Sequence, residues 1–246
     1  MRQRIVTVLL LLMCAALGMA QTPVNAPSYT VRRVPTGQVN LRAFGQQPWR
    51  NAQVVEWGPE SYKTTFRALW NNTDLWLRFD IQDPSPWHTM TKRDDHIWEE
   101  EVAEIFIDLD GTGKNYAEYE INSANVLCDL RMESGLPNIT GHIEWDHGGL
   151  DSAVQMRAAK GNDPGGWTAI IRMPWRGFRN LPAVEEGRAK APPRAGDVWR
   201  FNLYRIERPH GPADPKKDGV FAAWSPTGTA SFHNPTVFRP MIFSSQ

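Results

Sequence analysis

The chain has 246 residues, with 27 basic against 27 acidic side chains, and it is rich in aromatics: 11 Trp, 10 Phe and 5 Tyr. So even a charge balance gives no electrostatic case for binding nucleic acid or an anionic membrane. No run beyond the N-terminal segment approaches the roughly 20 apolar residues that a membrane-spanning helix needs.

Arg2 and Arg4 precede an apolar run from Val6 to Leu12, and Gly18-Met19-Ala20 offers a small-x-small cleavage site before Gln21. This predicts a secretory signal peptide over residues 1–20, a tail over 21–28 and one domain over 29–246, in a periplasmic or extracellular protein. Cys14 follows Met13, where lipid attachment wants a small residue, so it reads as part of the leader. Loss of Arg2 and Arg4 leaves 25 basic against 27 acidic residues, and Cys128 as the sole cysteine, so no intramolecular disulfide is expected.

From Thr64 the residues alternate. Phe66, Ala68 and Trp70 lead into Asn71-Asn72-Thr73-Asp74, after which Leu75, Leu77, Phe79 and Ile81 share a face, which predicts a β-hairpin. A second hairpin is predicted from Val102–Leu109 and Tyr116–Val126, reversed by the glycines of Asp110-Gly111-Thr112-Gly113-Lys114-Asn115. Further strands are expected at 153–159, 166–173, 198–206 and 219–224, and a proline-rich excursion with one short helix at 180–196. Many short strands separated by turn signals predict an all-β fold, an antiparallel jelly-roll-like β-sandwich with long loops.

In the second hairpin, period-two geometry sets Glu104, Phe106 and Asp108 on one face, opposite Ile105, Ile107 and Leu109. On the partner strand Glu118, Glu120 and Asn122 lie opposite Tyr119 and Ile121. The apolar rows belong in the core, so the polar rows are expected to share the outer face, with Trp98 just upstream. Planar polar groups beside an aromatic ring suit a sugar, whose hydroxyls and C–H face they would meet. The plain alternative is a solvated strand face without function.

The run Trp98-Glu99-Glu100-Glu101-Val102-Ala103-Glu104-Ile105-Phe106-Ile107-Asp108, continued by Asp110-Gly111-Thr112-Gly113-Lys114-Asn115-Tyr116-Ala117-Glu118-Tyr119-Glu120-Ile121-Asn122, resembles the family 9 carbohydrate-binding modules. Pro48-Trp49-Arg50-Asn51-Ala52, Leu75–Asp83, Met173-Pro174-Trp175, Gly196–Arg205, Ala223-Trp224-Ser225-Pro226 and Phe232-His233-Asn234-Pro235 extend the resemblance over nearly the whole chain beyond the leader. The resemblance implies a β-sandwich that binds a saccharide, often a chain end, in a slot between two tryptophans. Trp98 matches the first wall, Glu104 the family carboxylate and Trp224 the second wall. Glu120, Asn122 and Arg205 complete the implied site, although Arg205 could equally serve a structural ion pair. Glu120 departs from the pattern, because well-studied modules carry a basic residue there. No cofactor is required, structural calcium is implied without identified ligands, and the implied partners are a saccharide and other exported polysaccharide-degrading proteins.

Two further readings compete with a non-catalytic binding module. Paired carboxylates such as Glu104 and Glu120 would suit a glycoside hydrolase, but a catalytic acid needs burial, and an exposed strand face is not expected to supply it. A sandwich that has lost its sugar could instead bind protein. Asp108-Leu109-Asp110-Gly111 reads first as a turn and second as a calcium site. His96 and His147, each following an Asp, are expected on surface loops.

Overall fold

The computed structural model describes residues 28–45 and 47–246. The expected leader, Cys14 and the tail up to Pro27 lie outside the described residues. The strands are β1 (Tyr29–Arg33), β2 (Val55–Trp57), β3 (Thr64–Trp70), β4 (Asp74–Gln82), β5 (Val102–Asp108), β6 (Lys114–Ile121), β7 (Leu127–Ser134), β8 (Thr140–His142), β9 (Asp151–Arg157), β10 (Gly166–Pro174), β11 (Val198–Glu207), β12 (Val220–Ala223) and β13 (Arg239–Phe243), with one short α-helix, α1 (Pro182–Glu185).

Both expected hairpins form, and side chains close them. Asn71 Oδ1 accepts from the Thr73 and Asp74 amides at 2.8 and 2.9 Å between β3 and β4. Between β5 and β6, the Asp108 carboxylate accepts from the Gly111 and Gly113 amides at 2.9 and 2.8 Å. Those two glycines have φ of 71° and 73°, a conformation that side chains with a Cβ resist.

The strands follow one path, β8-β7-β6-β5-β11-β13-β1-β3-β4-β10-β9, with β12 beside β11 and β2 beside β3. The all-β expectation holds. The purely antiparallel expectation does not, because β1 runs parallel to both of its neighbours: Tyr29–Val31 pairs with β13, and Arg32 and Arg33 pair with β3. These partners lie far apart in the chain, where no turn signal announces the pairing.

β1 thereby links two faces that pack on each other. Phe66, Phe79 and Ile171 from β3, β4 and β10 share one core with Ile105, Tyr119 and Phe201 from β5, β6 and β11. Phe201 meets Phe66 and Tyr29 with ring centroids 6.1 and 5.8 Å apart. Each such side chain contributes about 1.5–3 kcal/mol through burial. At Gly166 a Cβ would stand 2.1 Å from the Ile81 carbonyl oxygen, so only glycine lets β10 run this close to β4.

A second apolar cluster covers the far face of the β5–β6–β7–β11 layer. It contains Ile97, Val102, Phe106, Tyr116, Cys128, Leu130, Tyr204 and Phe238. Among the described residues, no helix is long and apolar enough to cross a membrane.

Candidate functional site

Alternation and register bring the expected acidic residues together. Glu104 pairs across the strands with Glu120 and, on its other side, with Tyr204, while Glu120 faces Cys128. Glu104, Glu118 and Glu120 each present a carboxylate oxygen within 4.8 Å of the others.

The expectation of an open, solvated face is overturned, since Glu104, Glu118 and Glu120 are only 2 %, 5 % and 0 % exposed. Two irregular segments roof the sheet. The first is folded back by its own acids: the Glu100 carboxylate accepts from the Thr89 and Met90 amides at 2.9 and 3.2 Å, and Glu101 accepts from the Trp87 amide at 3.0 Å. Asn122 belongs to the same scaffold. Its Nδ2 donates to Met90 O at 3.2 Å and its Oδ1 accepts from the Ala124 and Val126 amides at 3.0 Å each, so it is spent on structure. The second segment is pinned by the Tyr204 hydroxyl, which donates to Phe232 O at 3.0 Å, and by Asn202, whose Nδ2 donates to Ser225 O at 2.8 Å.

Among the described residues no N–H completes a hydrogen bond to these carboxyls, although Glu118 and Glu120 lie close enough to share a proton. Glu104 Oε1, Glu118 Oε2 and both oxygens of Glu120 are buried without an N–H partner. Burial drives Glu104 and Glu120 well above the usual carboxylate range, reinforced for Glu104 by the Glu118 charge and for Glu120 by Glu104 and Glu118. Glu118 is pushed up to about 7, again by burial. Among the described residues, the one ion-pair contact to the triad comes from His233, whose Nδ1 lies 3.9 Å from Glu118 Oε2. That nitrogen also meets the Tyr116 hydroxyl at 2.9 Å, and burial lowers the His233 pKa to about 4, so the ring is neutral at physiological pH.

Trp98 stands at the rim of this face, half-buried against the outer cluster and stacked on His96 with centroids 4.4 Å apart and planes 19° apart. Its backbone amide approaches Glu120 without completing a hydrogen bond. Phe232, also half-buried, packs on the same cluster and stacks on Tyr204 at 4.3 Å. The exposed Phe221 lies 6.1 Å from Phe232.

Trp224 and Arg205 are not part of this arrangement. Trp224 packs against the inner core, 5.0 Å from Phe201, so the sheet itself separates it from Trp98 and the two cannot form one slot. Arg205 pairs across the strands with Ala103, and its side chain therefore leaves the sheet on the side opposite Glu104. There it bonds Asp83 at 3.2 Å and also Glu207, donates to Val102 O at 3.1 Å, and lies 5.7 Å from the Trp167 ring. Asp83, Glu101 and Glu207 make a second buried acidic triad around this guanidinium, which the sequence reading did not find. The Arg205-x-Glu207 spacing, which puts both side chains on one face, was its available signal. Glu101 rises to about 10 through burial and its hydrogen bond with Glu207.

The Asp108–Gly111 run is a self-satisfied turn. Asp108 spends its carboxylate on the turn amides, and Asp110 is bound by Arg188 at 2.7 Å. His96 is exposed as expected, but His147 is a core residue, 2 % exposed, with its ring between the Tyr119 hydroxyl at 2.9 Å and Pro174 O at 3.0 Å.

The chain is similar to known proteins in sequence and in fold. An extracellular protein of Arthroderma benhamiae is 25 % identical over 188 residues, covering 74 % of this chain and 78 % of that protein. A crystal structure from Bacteroides uniformis superposes with a TM-score of 0.64 at 17 % identity, covering 88 % of this chain and 99 % of the other. A family 9 carbohydrate binding module from Caldicellulosiruptor kristjanssonii superposes at 14 % identity in its cellotriose complex (TM-score 0.58, covering 89 % and 95 % of the two chains) and in its glucose complex (TM-score 0.55, 87 % and 96 %). The profile of the carbohydrate family 9 binding domain-like proteins matches residues 42–245, and the chain belongs to that family.

Proposed function

We propose that this chain is an exported carbohydrate-binding protein that adsorbs a saccharide on the outer face of the β5–β6–β11 layer and supports polysaccharide utilisation. The observation that carries this reading is Trp98, a half-exposed aromatic at the rim of a face whose floor holds Glu104, Glu118 and Glu120. The ring supplies the stacking surface for the C–H side of a sugar. Glu104 and Glu120, buried beneath the roofing segments, shape and charge the floor under this surface rather than touch the ligand in the closed fold. Phe232, on the same face, replaces Trp224 as the second aromatic. Asn122 and Arg205 act through the scaffold rather than on the ligand.

Export is supported by the leader read in the sequence and by the extracellular relative. A gluco-oligosaccharide is the ligand to try first, because the Caldicellulosiruptor neighbour was crystallised with cellotriose and with glucose. Calorimetric titration with oligosaccharides from cellulose, xylan, mannan and pectin, with released reducing ends assayed in the same mixtures, tests the reading. Saturable heat without product is expected. Trp98→Ala should lower affinity at least tenfold with a stability change under about 1.5 kcal/mol, whereas Trp224→Ala should keep the affinity and cost about 2–4 kcal/mol of core packing. If Trp98→Ala binds like the parent, the stacking surface lies elsewhere. Release of reducing ends would mean that the buried carboxyls act as a hydrolase pair.

A further inference from the structure

Among the described residues three arginines are buried, and two of them are saturated. Arg78, 4 % exposed, bonds the Asp80 carboxylate through Nε and Nη2 at 2.8 and 2.7 Å and donates to Phe44 O at 2.8 Å. Arg205 holds Asp83 and Glu207. Arg208, 9 % exposed, forms no ion pair with any described carboxylate, and its Nε is buried with no hydrogen-bond partner. Burial lowers its pKa against the pull of Glu99 and Glu101. A guanidinium nevertheless keeps its charge in a protein, and a buried charge without a partner is costly, so this one calls for an anion.

The place of Arg208 says what brings that anion. It follows β11 where the first roofing segment meets the sheet, and its carbonyl accepts from Trp87 Nε1 at 2.8 Å. Its guanidinium carbon lies 4.8 Å from the centre of the exposed Phe221 ring. A Cβ at Gly219 would stand 2.7 Å from its Nη1, so a glycine there makes room for the head group. Phe221 is in turn 6.1 Å from Phe232, the second aromatic of the saccharide surface. The cation therefore borders the aromatic face, within reach of a sugar laid on it. Hydroxyls of a neutral sugar cannot offset the charge, whereas a carboxylate matches the guanidinium fork with two parallel hydrogen bonds.

We propose that Arg208 selects saccharides that carry a carboxylate, its guanidinium bonding the carboxyl of a uronic acid while the adjoining sugar lies on Phe221 and Phe232. This rests on the saccharide reading and narrows its ligand to acidic oligosaccharides, the chemistry of pectin and of glucuronate-bearing xylan.

The test is calorimetric titration with an oligogalacturonate and with a glucuronate-substituted xylo-oligosaccharide, each against its own methyl ester, which lacks the charge. In at least one pair the acid should bind at least tenfold tighter than the ester, and the preference should shrink as salt is added. Arg208→Met, which keeps an apolar stem against Phe221, should bring acid and ester to equal affinity. Arg208→Lys, which keeps the charge and loses the fork, should retain part of the preference. Should Arg208→Met fail to fold, the acid-to-ester ratios of the parent and of Arg208→Lys decide. Equal affinity for acid and ester in the parent, a preference that survives Arg208→Met in full, or competition by inorganic sulfate as strong as by the oligosaccharide acid would overturn the proposal and leave the saccharide reading standing. If neither these ligands nor their neutral counterparts bind, both fall.

Discussion

The two buried acidic triads lie on opposite sides of the same sheet, and they solve the same electrostatic problem differently. Around Asp83, Glu101 and Glu207 the chain supplies its own cation, the Arg205 guanidinium, together with the proton that burial holds on Glu101. Around Glu104, Glu118 and Glu120 the described residues bring no cation into contact, only the neutral His233 at 3.9 Å, while Arg205 acts on Glu104 from the other side of the sheet. A triad with its counter-charge built in is a structural clamp. One without it must take up protons, and this makes it the side of the sheet on which to look for a ligand.

Removing the built-in cation should have the largest effect. Arg205→Leu should leave Asp83 and Glu207 buried without a counter-charge, and should lower unfolding stability by about 3–5 kcal/mol in urea titrations. If the loss is slight, the clamp is not one.

A smaller effect of opposite sign separates the two triads directly. Glu207→Gln should cost about 1–3 kcal/mol, because it weakens a charge-assisted bond to Arg205. Glu120→Gln should leave stability unchanged or raise it, because it removes a buried carboxyl to which no N–H of the described residues completes a hydrogen bond. Equal losses from the two substitutions would erase the distinction.

The third test is in pH. Glu101 has a folded pKa of about 10 against 4.5 unfolded, so the folded chain holds a proton that the unfolded chain releases. Its contribution is fully present below pH 4.5 and is lost as pH rises through about 10. Stability should therefore fall toward alkaline pH by at most about 1.4 kcal/mol per pH unit for this one group. Glu101→Gln should flatten the slope between pH 8 and 10, and an unchanged slope would place the titration elsewhere.

The hairpins and the common face of Glu104, Glu118 and Glu120 were legible because strand alternation is a local rule, carried by Ile105, Ile107, Tyr119 and Ile121 on the other side. Trp98 was legible only through resemblance, since an isolated tryptophan in a loop carries no periodic signal. Burial of the acids was not legible. It depends on roofs built from Trp87–Glu101 and Ser225–Phe238, irregular segments whose course is set by side-chain bonds such as Glu100 to Thr89 and Met90. The same gap explains the argument against a buried catalytic acid, which assumed an open face, and the misplaced His147, whose ring is held by Tyr119 and Pro174 from distant strands.

By itself the sequence determined the all-β character, the two hairpins with their turns, the family, and which side chains of one strand lie on the same side as Glu104. Tertiary structure alone decided the cross-strand register that sends Arg205 and Trp224 to the inner side, the parallel placement of β1, and the second triad assembled from Asp83, Glu101 and Glu207. The physical reason is range. Alternation and turn chemistry act between residues a few positions apart. Register, roofing and charge compensation also act between groups far apart in the chain, such as Asp83 and Arg205, 122 positions apart, and only the closed fold brings those together.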